Sequence, residues 1–117
     1  NEFLTQAITP TNSSNLLVVD VFATLNNSIA GAHIGMAIFQ DSTSAALAAT
    51  AVDQAYGANT GLHASMRFIK VAGNTNATTF KMRAGANTGT TYMNGRVAGR
   101  KYGGVSPSLM QITEIEQ

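Results

Sequence analysis

The sequence predicts an all-β domain, and three observations carry that prediction. Apolar residues come in short runs rich in β-branched side chains, bounded by Asn, Ser, Thr, Asp and Gly. Only 11% of the 117 residues are charged, against about 25% in an average soluble domain. The polar remainder is mostly Thr, Asn, Ser and Gly, which suit strands and turns better than the exposed faces of helices. A hydrophobic content of 44% excludes disorder, which pairs low hydrophobicity with high charge. The length fits one domain spanning residues 1–117.

Leu16 to Leu25 (LLVVDVFATL) is the first clear strand. Leu17, Val19, Val21, Ala23 and Leu25 fall on one face, and Leu16, Val18, Asp20, Phe22 and Thr24 on the other. Asn26-Asn27-Ser28 signals a turn. Ala32 to Gln40 is a second strand with two apolar faces, closed by Asp41-Ser42-Thr43. Ala45 to Val52 suits a helix by its alanines, but Leu47, Ala49 and Ala51 alternate, and the strand-rich context favours a strand. Asp53 to Gly61 reads as a loop. Leu62, Ala64, Met66 and Phe68 alternate with His63, Ser65 and Arg67. In Thr79 to Ala84, Phe80 and Met82 point inward. Thr90 to Met93 is a short strand, followed by Asn94-Gly95, the strongest short turn signal in the chain. Residues 96–104 are Gly-rich and basic, and Leu109 to Ile115 is the last strand. Seven or eight short strands with turn chemistry between them predict an antiparallel β-sandwich or jelly roll. Strands with two apolar faces need cover on both. One face can be the sandwich core, and the other is expected between subunits.

Several classes are disfavoured at once. There is no cysteine, hence no disulfide scaffold, thiolate metal site or cysteine nucleophile. A net charge of +1 gives no signal for nucleic acid. No run approaches the ~20 apolar residues of a spanning helix, so membrane insertion is not expected. No secretory leader is visible, and a first residue of Asn1 reads as a domain cut or processed from a longer protein.

Chemistry-bearing residues are sparse. Asp41 and Asp53 could form a carboxylate pair, but Asp beside a turn is ordinarily a backbone cap. His33 and His63 could meet, or gather about a symmetry axis around an ion; no metal-ligand spacing supports that, and they read as ordinary strand histidines. No cofactor motif appears. Asn12, Asn26 and Asn76 match the glycosylation triplet, as expected by chance in so Asn-, Ser- and Thr-rich a chain. The basic loop with Arg96, Arg100 and Lys101, flanked by Tyr92 and Tyr102, is the best binding candidate, since cations attract phosphates or carboxylates and tyrosines stack on sugars. Arg83 and Glu114 sit among apolar strand neighbours and are expected to pair across adjacent strands.

Five short segments then resemble a known family: AIFQDSTSAALAATA (37–51), TFKMRAG (79–85), YMNG (92–95), RKYGGV (100–105) and SLMQITEI (108–115). In order and spacing they are similar to the C-terminal jelly-roll domain at the ends of bacteriophage tail fibres and related virion appendages. The resemblance implies an antiparallel sandwich of the tumour-necrosis-factor or complement-head type, trimeric about a long axis, attached to an upstream fibre shaft. It implies an extracellular place at the virion tip and a host polysaccharide, lipopolysaccharide or outer-membrane protein as ligand, without catalysis. Arg83, Asn94, Gly95, Arg100, Gly103, Gly104 and Glu114 match as architectural positions. The receptor is expected at the loops, around Asn26 and Asn27, Tyr56 and Asn59, and Arg96, Lys101 and Tyr102. The alternatives are a purely structural trimerisation or capsid-decoration module, and a monomeric carbohydrate-binding module of a secreted protein.

Overall fold

The computed structural model describes residues 1–53, 57–58, 60–96, 99–100, 105 and 107–117, the side chains of Arg96 and Arg100 excepted. Its regular elements are all strands: β1 (Glu2–Ile8), β2 (Leu16–Asn27), β3 (His33–Gln40), β4 (Ala48–Asp53), β5 (Leu62–Val71), β6 (Thr78–Ala86), β7 (Thr91–Met93), β8 (Gly95–Arg96), β9 (Gly99–Arg100) and β10 (Leu109–Ile115). The ambiguous alanine run is a strand, β4, with alternate residues exposed. Its small side chains fit a pleated, half-buried surface once β3 supplies the ladder.

Two antiparallel sheets form a β-sandwich. The first has the order β1-β6-β3-β4. The second has the order β10-β2-β5, and β7 continues along β2 where β10 stops, pairing Leu25 to Asn27. β8 and β9 form a separate two-stranded ribbon. Consecutive strands mostly change sheet; among the described strands of the sandwich's two sheets, only β3 and β4 are sequential neighbours within one.

The core lies between the sheets. β2 contributes Leu17, Val19, Val21, Ala23 and Leu25, the set its alternation predicts. Ile34, Met36 and Ile38 of β3 and Phe80, Met82 and Ala84 of β6 face them from the other sheet. Each of those two strands alternates strictly, so its outward set is different in kind: β3 turns His33, Gly35, Ala37 and Phe39 away from the core. The second face of β3 is thus made of small residues for half its length rather than of a broad apolar set.

The strand ends place the loops. Asn27 pairs with Thr91, Leu25 with Leu62, His33 with Asp53 and Ile34 with Ala86. The loops that leave β2, β4 and β6 therefore spring from one end of the sandwich. At the other end, Ala72 N donates to Asn15 O and Gly73 N to Ser13 O, which laces the loop before β2 to the loop after β5.

Candidate interaction surface

The outward face of the β10-β2-β5 sheet is the most distinctive surface among the described residues. Cross-strand register builds it in rows. Ile115, Leu16 and Val71 form one row, and Thr113, Val18 and Ile69 the next. Gln111, Asp20 and Arg67 follow, then Leu109, Phe22 and Ser65. Ile69, Val71, Leu109 and Ile115 are 51%, 54%, 45% and 44% exposed. Four of the six large apolar side chains exposed among the described residues thus share one sheet face, which makes it the candidate interaction surface.

One polar row crosses this face. Arg67 Nε donates to Asp20 Oδ1 at 2.7 Å, and Nη2 to Oδ2 at 3.2 Å, a fork-to-carboxylate geometry. The hydrogen bond to Asp20, and then its charge, raise the Arg67 pKa further above its ordinary value. A hollow of about 300 Å³ beside the pair is lined by Val21, Phe22, Ser65, Met66 and Leu109. Beyond the hollow, Phe22 stacks on His63, ring centroids 5.3 Å apart. The Asp20–Arg67 pair and the outward Ile69 and Val71 were not singled out from sequence. The signal was present: extending the alternation of β5 past Phe68 puts both apolar residues on the same side as Arg67.

The expected contact residues are distributed differently. Asn26 and Asn27 are fully buried at the end of β2, not exposed in a turn. Asn26 Nδ2 donates to Gly95 O. Asn27 Nδ2 donates to Thr88 O at 2.9 Å, and its Oδ1 accepts from Ile29 N. Both amides serve distant backbone groups and are closed to a receptor in this chain, so their expected contact role is corrected to a structural one. Tyr56, Asn59, Lys101, Tyr102, Gly103 and Gly104 lie outside the described residues. Arg96 pairs with Gly99, and Arg100 with Gly95, along the β8–β9 ribbon.

Asn94 adopts φ 62, and its N–H donates to Thr24 O at 3.0 Å. The Asn94-Gly95 signal thus marks a left-handed step linking β7 to the ribbon. Ser108 Oγ donates to Asn94 Oδ1 and accepts from Thr24 N.

Arg83 and Glu114 do not pair, because they belong to different sheets. The Arg83 guanidinium lies over the Phe39 ring, 4.6 Å from its centroid, on the outer side of the β1-β6-β3-β4 sheet. Glu114 Oε1 accepts from Thr11 N (2.7 Å), Thr11 Oγ1 (2.9 Å) and Asn15 Nδ2 (2.8 Å). The bonds from Asn15 and then from Thr11 hold its carboxyl below the usual range. Asn15 Oδ1 in turn accepts from Gln117 N at 3.1 Å. Glu114 is therefore a clasp on the loop that leads into β2.

Asp41 and Asp53 sit at opposite ends of the β3–β4 hairpin and make no carboxylate pair. Asp41 Oδ1 accepts from Thr79 N at 2.9 Å, while Asp53 meets His33 Nδ1 at 2.6 Å. His33 and His63 lie on different sheets. No group of three or more His, Asp or Glu gathers in a metal-holding arrangement among the described residues.

No protein-family model matches the chain, and no curated protein matches its sequence.

Proposed function

We propose that this domain is a trimeric jelly-roll head at the tip of a bacteriophage tail fibre or related virion appendage, and that it contacts a host surface receptor without catalysis. The observation that carries the assembly is the apolar outward face of the β10-β2-β5 sheet. A lone carbohydrate-binding module would present a solvated sheet there. The number three comes from the family resemblance. The strand orders support the jelly-roll reading: counting β10 as the eighth strand, they run 1-6-3-4 and 8-2-5, with repeated crossing between sheets.

The receptor contact is assigned to the end where the loops after Asn27 and Asp53 leave their strands and the β8–β9 ribbon begins beside Asn26. Loops on a rigid sandwich carry binding more often than the strands do. Three copies about one axis would present three such ends together, so weak individual contacts gain avidity. Extracellular polysaccharide, lipopolysaccharide or an outer-membrane protein is the class of receptor, and the upstream fibre shaft is the attachment.

The test is absolute mass in solution by light scattering, at micromolar and nanomolar concentration, followed by adsorption to host cells. Three chains at both concentrations support the assembly. A stable monomer overturns it and favours the carbohydrate-binding module. Tyr56→Ala and Arg96→Ala are expected to lower adsorption while the trimer stays intact. Unchanged adsorption for both would remove those loops, and a trimer that binds no cell or glycan would leave the purely structural module.

A further inference from the structure

We propose that the Asp20–Arg67 pair sets the register of a contact between copies of this chain, an inference that rests on the assembly reading above and goes further by naming the element that makes the contact specific. The occupant of the face is a second copy of the chain.

Three features point to a copy rather than to another partner. Asp20 and Arg67 carry the only formal charges in the four cross-strand rows of the face, and they sum to zero. A copy of this chain can therefore approach this face without net repulsion, whereas a partner of one charge sign gains little. The face also holds both halves of a complementary shape: Ile69 and Val71 stand proud of it, and the hollow of about 300 Å³ beside Arg67 has apolar walls in Phe22, Met66 and Leu109. Identical copies need knob and hole on one molecule. Finally, Arg67 keeps a donor that another molecule can use. Its side chain is 66% exposed, and Asp20 uses only Nε and Nη2, leaving Nη1 without a partner among the described residues.

The physical consequence is discrimination. Apolar rows alone can slide by one pair of residues and bury a similar area. A charged row cannot. Out of register, Arg67 would face apolar side chains of the other copy and lose water without gaining an acceptor. In register, the spare guanidinium donors can meet backbone or side-chain oxygens of the facing copy. The same logic lets one buried polar residue fix the alignment of a coiled coil.

The experiment compares wild type, Arg67→Met, Arg67→Lys and the double variant Asp20→Leu/Arg67→Met by sedimentation across a concentration series. Far-UV circular dichroism and unfolding of the diluted chain serve as fold controls. Arg67→Met leaves Asp20 unmet in the contact, and assembly should weaken roughly tenfold or more with the strand signal unchanged. Arg67→Lys keeps the charge but loses the fork and should fall between the two. The double variant should assemble again, but as a mixture of masses. Arg67→Met and the double variant both assembling with the single wild-type mass and wild-type concentration dependence would overturn the proposal while leaving the assembly reading standing. A wild-type chain that stays monomeric at micromolar concentration overturns both, and any other molecule found on the face then takes the place of the second copy. If Arg67→Met loses the strand signal, Arg67→Lys decides: wild-type assembly by that variant overturns the proposal.

Discussion

Replacing Ile69 with Ser separates the two roles a sheet face can have. Ile69 is 51% exposed on the outward side of β5, so the single chain has taken about half of its side chain out of water. Fully burying such a side chain is worth about 1.5–3 kcal/mol. The half still exposed then holds about 1 kcal/mol that only a contact with another molecule can realise. If three copies meet through this face, each contributes one Ile69, and the assembly loses about 3 kcal/mol, or roughly a hundredfold in its association constant. The isolated chain should barely respond, since a surface substitution usually stays within about 0.5 kcal/mol. Sedimentation velocity over a concentration series reads the first quantity, and urea unfolding of the diluted chain reads the second. An unchanged concentration dependence would refute the argument that this face is covered. A large loss of stability in the diluted monomer would show that Ile69 packs within the chain.

Two further outcomes follow from the loops. Gly89 has φ +70, and a Cβ there would run into the side chain of the buried Asn27. Gly89→Ala should therefore cost about 1–3 kcal/mol, whereas Gly31→Ala, at φ +77 in open space, should cost only the backbone strain of about 1 kcal/mol; equal urea midpoints for the two would sink the packing argument. The Glu114 carboxyl titrates below its ordinary range, so its clasp contributes stability above the unfolded-state value and loses it as pH falls through the lowered folded-state value. Melting of wild type and Glu114→Gln should differ most near neutral pH and converge in strong acid; a gap that widens in acid would contradict the sign.

The fold class was legible because alternation reports which side of a sheet a residue faces without reference to its partner. β2, β5 and β6 turn inward the residues their pattern predicts. β1 was not, because most of it is exposed on a sheet edge and its register shifts between Glu2 and Leu4, which breaks the period. The Arg83–Glu114 pairing failed for a different reason. Burial among apolar neighbours says that a charge needs a partner, not which sheet supplies it, and here one charge found an aromatic ring and the other a loop. Asn26 and Asn27 look like a turn from composition alone. Their amides reach Gly95 and Thr88, far along the chain, and no local pattern carries such partners. The candidate interaction surface was half legible. The doubly apolar β2 announced it, while the charged row crossing it becomes visible only when the register sets Asp20 opposite Arg67.

β2 has a further consequence, for the order in which the protein can form. It precedes all three of its partners: along one edge it waits for β5, and along the other for β7 and β10. Until then a long, strongly apolar strand has its hydrogen-bonding groups unmatched. Closure of distant pairs is slow compared with local structure, and an open edge of this kind invites pairing with the wrong chain. The nascent domain is thus open to aggregation until residues 109–115 emerge and pair with β2, and loss of those residues would leave that hazard permanent.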